Sequence, residues 1–149
     1  MTIFEKWNNT IDVKGLQTDI EEAEKSQGDY QEVPIGTYEC KIEKMELVES
    51  STNKPMVSIW FRILKGDYEN NMMFMNQVVT EGFQFSIVNR FLKSLEAIDD
   101  DTVKFEDYEQ YNNLLMDIME AIDKKLEYLV EKKVKKGFPV YTIKEVYEV

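Results

Sequence analysis

Four lysines fall within five positions, at Lys132, Lys133, Lys135 and Lys136, followed at once by Gly137 and Phe138 and then by Tyr141. In a chain of 149 residues with a formal net charge of -11, so dense a positive run stands apart from its surroundings. Ammonium groups at this spacing can pair with successive phosphates of a polyanion, and rings beside them offer flat faces on which bases stack. The same two kinds of group recur at Trp60 and Arg62, an indole two residues from a guanidinium. Bond-making chemistry has no comparable support. There is no histidine for general base work, no GxxxxGK[ST] loop for nucleotide phosphates, and no nucleophile with a recognisable partner. Carboxylates are so frequent that their pairing carries no information. Cys40 is the single cysteine, so neither a disulfide framework nor a zinc site is indicated. Asp99 to Asp101 lack the glycine and distal glutamate of a calcium loop and read as a solvated turn. The expectation is a binding protein with no enzymatic activity, no metal and no cofactor.

The net charge hides an uneven distribution. Residues 1–32 hold eight acids against three lysines, and residues 96–123 hold ten acids against Lys104 alone. The remainder of the chain is mildly basic, about +3 by the same bookkeeping. Length and the supply of aromatic and β-branched residues place the chain among folded single domains able to bury a core. The N-terminus MTIFEKWNNT has no basic region followed by an apolar run, and no segment approaches the length needed to cross a bilayer, so a cytoplasmic protein with no membrane partner is expected.

Positioning such groups requires elements, and hydrophobic periodicity supplies them. After the turn Val33-Pro-Ile-Gly36, Tyr38, Cys40 and Ile42 alternate with Glu39, Lys41 and Glu43, the period of a half-buried strand. The polar run SSTNKP, ending in Lys54 and Pro55, separates this from a second strand, MVSIWFRIL, and a third strand covers Met72 to Thr80. Beyond Gly82 the period changes. Val88, Phe91, Leu92 and Leu95 recur at helical spacing, as do Tyr108, Tyr111, Leu115, Ile118 and Ile122, and both stripes read as core packing. Leu126, Tyr128 and Val130 then begin a fourth strand, the lysine loop follows, and VYTIKEVYEV closes the chain as a fifth.

The order βββ-αα-ββ, with a helical insertion over about residues 82–124, is that of an OB-fold, a partly open five-stranded barrel within a mainly β, α+β class. Its ligand surface is the outer face of strands two and three, flanked by the loops joining strands one to two and four to five. Along strand two, Val57, Ile59, Phe61 and Ile63 share one face and Met56, Ser58, Trp60 and Arg62 the other. Because an arginine belongs outside a small barrel, Trp60 is expected to be exposed beside Arg62. Phe74 and Asn76 are the matching candidates on strand three, with the opposite parity, Met73, Met75 and Gln77 outward, left open. Lys54 in the first loop and Lys132, Lys133, Lys135 and Lys136 in the second would meet phosphate, while Phe138 or Tyr141 would stack.

The segments VPIGTYECKIEKMEL, PMVSIWFRIL, FMNQV and KKGFPVYTIKEVYE, within a likeness running from about Phe4 to the C-terminus, resemble a family of small phage proteins. That family was long catalogued as a domain of unknown function and occurs in phage replication and recombination gene blocks. Its members are regarded as single-stranded-DNA-binding proteins with an OB-fold. The resemblance implies sequence-independent binding of single-stranded DNA over Met56 to Arg62, Phe74 to Gln77 and Lys132 to Phe138, in an infected bacterial cell, with phage recombination or replication proteins as further partners. The chain departs from the family at Glu69-Asn-Asn71, where a basic or glycine-containing turn is expected. Residues 1–32 read as an acidic arm with a short helix through Leu16, Ile20 and Ala23. The arm is read in three ways: packing on its own barrel, joining a second subunit as a homodimer, or covering the basic groove as a mimic of nucleic acid. The helices are a further surface for such a dimer. The rival class is an acidic interaction module that captures or inhibits a host or phage protein by mimicking DNA charge.

Overall fold

The computed structural model of the chain describes residues 32–149, and Val33–Val149 form one compact unit. The expectations for the acidic arm lie outside the described residues. In chain order the elements are β1 (Gly36–Glu49), β2 (Pro55–Ile63), β3 (Met72–Val78), α1 (Gly82–Ser94), a short 3-10 turn (Asp100–Thr102), α2 (Tyr108–Ile122), β4 (Leu126–Lys135) and β5 (Phe138–Glu148). The fold is therefore α+β and mainly β. All ladders are antiparallel, and the five strands form one open sheet in the order β3-β2-β1-β4-β5.

A bulge in β1 decides which side chains face the core. Cys40 pairs with Ile63 and Ile42 with Phe61, but Lys44 pairs with Trp60, so Glu43 is the extra residue. An extra residue reverses the alternation. Cys40 and Ile42 point inward before it, whereas Met45 points inward after it. On β2 no such break occurs, and Val57, Ile59, Phe61 and Ile63 are all buried, the parity expected from the placement of Arg62.

The two helices cover the inner face of the sheet. Val88, Phe91 and Leu92 of α1 and Tyr111, Leu114, Leu115, Ile118 and Ile122 of α2 enter the core at the spacing expected of amphipathic helices. The start of α2 is set by Asp107, whose side chain accepts from the Gln110 backbone N–H at 2.7 Å. Gln84 does the equivalent for α1 by accepting from the Glu81 N–H at 3.0 Å. Tyr111 is buried as expected. Tyr108 departs from the core reading: it is 39 % exposed and its hydroxyl donates to the Val79 carbonyl at the sheet rim. Being the first residue of its helix, it sits one turn outside the packed stripe.

The two edge strands approach each other although no ladder joins them among the described residues. Tyr141 of β5 is buried and its ring lies 5.2 Å from that of Phe61 of β2, the neighbour of edge strand β3. Burial pushes the Tyr141 phenol up to about 12, with the Phe74 amide acting against the rise. Cys40 is fully buried and its thiol is likewise pushed up to about 12 by burial, so it behaves as a small hydrophobe. No helix among the described residues is long and apolar enough to cross a membrane.

Candidate nucleic-acid interface

The outer face of β2 and β3 is built by cross-strand pairs. Trp60 pairs with Phe74 and Ser58 with Asn76, which brings the predicted candidates side by side and selects the parity with Phe74 and Asn76 outward. The Trp60 and Phe74 rings meet edge to face at 5.5 Å. Phe74 is 38 % exposed, while Trp60 is only half-buried where full exposure was expected. The reason is the neighbour on its other side. The bulge at Glu43 places Lys44 opposite Trp60, and the Lys44 ammonium lies 4.7 Å from the indole centroid.

Lys44 is a residue that sequence reasoning missed. The available signal was the change of apolar parity from Tyr38, Cys40 and Ile42 to Met45 and Leu47, which marks a bulge before the side chain that the bulge re-aims is known. Its ammonium is shared with Glu46 at 3.2 Å in an exposed pair.

Arg62 is paired within the sheet where a cation facing phosphate is expected. Its guanidinium is held in a two-point pair by the bulged Glu43, with Nε donating at 2.9 Å and Nη2 at 2.8 Å, and Nη1 donates to the Asn70 carbonyl at 2.8 Å. A fork satisfied on both sides ties β1, β2 and the Glu69-Asn-Asn71 turn together and is a structural clamp beside the aromatic pair. The hydrogen bond from Arg62 holds the Glu43 carboxyl below the usual carboxylate range, against the opposing effect of partial burial. A depressed carboxyl contributes stability above its unfolded value and loses it as pH falls through the folded one. Glu43→Gln is therefore expected to cost no more than about 1 kcal/mol at neutral pH, given the partial exposure of the pair. That difference should vanish on acidification, as read by urea denaturation at several pH values.

The lysine stretch is not a loop. Lys132, Lys133 and Lys135 lie in β4, Lys135 pairs with Phe138, and only Lys136 and Gly137 form the turn. Both turn residues have positive φ, 53° and 82°, the requirement of a two-residue turn whose twist matches the strands. Because β1 pairs with β4 only as far as Lys132, the strands beyond it project as a two-stranded ribbon. Lys133, Lys135 and Lys136 are exposed on this ribbon, and so are Val134, Phe138 and Val140, with Phe138 at 73 %.

Lys132 and Tyr141 pair at the ribbon's base and are not presented to a ligand. The Lys132 ammonium donates to the Val33 carbonyl at 2.6 Å, and Tyr141 is buried against Phe61. Tyr141 thus sets the base of the ribbon against β2, at the residue next to Trp60 in sequence. Lys54 is exposed at the end of the turn between β1 and β2. The aspartates at 99–101 join no group of three or more metal-ligating side chains among the described residues.

A scan against protein-family models finds no match for this chain, and a search of the curated proteins finds none either.

Proposed function

We propose that the chain is a phage single-stranded-DNA-binding protein of the OB type, acting without sequence selection in DNA replication or recombination. The observation that carries this reading is the Trp60–Phe74 pair, a partly open aromatic platform with Lys44 at its edge. A projecting ribbon adds three exposed lysines and an exposed phenylalanine. Bases stacking on rings while ammonium groups follow the backbone is how a single strand is held without reading its order. The strand order β3-β2-β1-β4-β5, with Tyr141 of edge strand β5 packed on Phe61 of β2, supports a partly open barrel of the OB kind. Residues assigned to the ligand are Lys44, Lys54, Trp60, Phe74, Asn76, Lys133, Lys135, Lys136 and Phe138.

Trp60→Ala is the direct test of the platform. Loss of one stacking surface is expected to weaken oligo-dT binding about tenfold while the fold is retained, since stacking contributes roughly 1–3 kcal/mol per base. With Trp7→Phe as background, Trp60 is the remaining tryptophan and its emission should be quenched on titration with the oligonucleotide. Unchanged affinity and unchanged emission would remove the platform from the binding site.

A second reading rests on α2, whose solvent side exposes Glu109, Asp117 and Glu120. An acidic helix face of this kind suits capture of a basic protein surface. It predicts a protein partner and no affinity for DNA.

A further inference from the structure

Resting on the single-strand reading, we infer that Asn76 contacts the stacked base and biases the platform toward bases rich in ring carbonyls, thymine foremost, over adenine. The basis is a directed chain of hydrogen bonds behind the platform. The Trp60 indole N–H can only donate, and it gives its proton to the Ser58 hydroxyl at 3.1 Å. Ser58 gives its own proton to Asn76 Oδ1 at 2.7 Å. Ser58 is 6 % exposed, so the middle of this relay is shielded from water that would otherwise substitute for either partner.

The consequence falls on the Asn76 amide. Its oxygen is held by the Ser58 hydroxyl, and its Nδ2 group, which has no hydrogen-bond partner among the described residues, keeps two donors on an exposed residue. A freely rotating amide can offer either a donor or an acceptor to a ligand. Flipping this one would leave the proton of the buried Ser58 hydroxyl without its acceptor, so it presents donors. Asn76 is exposed and lies two residues from Phe74 on the same face of β3. That separation is about 7 Å along a strand, near the width of a base, so the edge of a base stacked on Phe74 and Trp60 comes within reach.

Thymine offers carbonyl oxygens on both sides of its ring N–H, and either accepts from Nδ2. Adenine offers an amino donor beside a ring nitrogen, so its amino group opposes the amide donors in one of the two approaches. Cytosine, with one carbonyl and one amino group, falls between. This is a bias in base composition and not a reading of order. It differs from the preferences that stacking strength and chain flexibility produce, which involve no polar contact to the base edge.

The test compares oligo-dT and oligo-dA of equal length on the full chain, using wild type, Asn76→Ala and Ser58→Ala, with thermal melts to confirm folding. Because adenine strands stack on themselves, the wild-type ratio alone is not decisive, and the change in ratio between proteins is the readout. Asn76→Ala is expected to weaken oligo-dT about fivefold, the size of one neutral hydrogen bond, and to leave oligo-dA within about twofold. Ser58→Ala releases the amide to rotate and should narrow the ratio mainly by improving oligo-dA. Equal losses on both oligonucleotides, or no loss on either, would overturn the inference while leaving the single-strand reading intact. Absence of binding to both by the wild type would overturn the reading and the inference together.

Discussion

Replacing Lys133, Lys135 and Lys136 together by alanine is expected to weaken oligo-dT binding about a hundredfold at low salt. It should also flatten the slope of log affinity against log salt by about two, since each phosphate contact on a single strand contributes roughly 0.7. The three ammonium groups stand on a ribbon with no neighbouring strand beyond Lys132, where a flexible backbone can follow them without disturbing the core. Lys133 is paired with Glu131 at 3.4 Å, but its side chain is 68 % exposed, so a phosphate can replace that partner at little cost. Stability should scarcely change, because all three side chains are exposed and an exposed ion pair contributes little. Lys132 is left out of the triple because its ammonium is committed to the Val33 carbonyl. Its own replacement should loosen the base of the ribbon and change the salt slope little. A triple variant that binds as the wild type does would make the ribbon a solvated hairpin tip and nothing more.

Phe61→Ala is the other large effect, and it acts on stability. The ring is fully buried, 5.8 Å from Phe91 of α1 and 5.2 Å from Tyr141 of β5, so it joins a helix and both halves of the sheet. Truncation leaves a cavity that close-packed neighbours fill only in part, and the expected loss is about 3–5 kcal/mol by urea denaturation. The variant should still bind oligo-dT wherever it remains folded, because Phe61 faces away from the platform that its neighbour Trp60 forms. A loss below about 1 kcal/mol would mean that the seam between β3 and β5 is loose enough to collapse around the gap. Conversely, folded protein that no longer binds would show that the seam itself positions Phe74.

Much of this arrangement is legible in residue pattern. The inward set Val57, Ile59, Phe61 and Ile63 follows from alternation once Arg62 is assigned to the outside, and that assignment also orients Trp60. The helical stripes are equally plain from spacing. Three features escaped because each depends on a tertiary partner. The bulge at Glu43 reverses the alternation of β1, and only its register against β2 shows that Lys44 lands on Trp60. Arg62 reads as a free cation until the same bulge delivers Glu43 to it. Tyr141 reads as a ring near lysines, whereas its position on β5 turns it inward onto Phe61. The lysine run reads as the loop between strands four and five because its polar side chains interrupt the apolar alternation. The Lys136-Gly137 pair at its end suits a two-residue hairpin turn, and the lysines on either side then belong to strands.

The central claim is that the platform and ribbon together hold a single strand. Fluorescence-anisotropy titration of labelled oligo-dT with the wild-type chain, at low and moderate salt and against unlabelled duplex as competitor, addresses it most directly. The account predicts saturable binding that weakens steeply with salt and resists displacement by duplex, because paired bases cannot reach Trp60 and Phe74. No binding at low salt, or equal displacement by single strand and duplex, would contradict it and turn attention to the acidic face of α2.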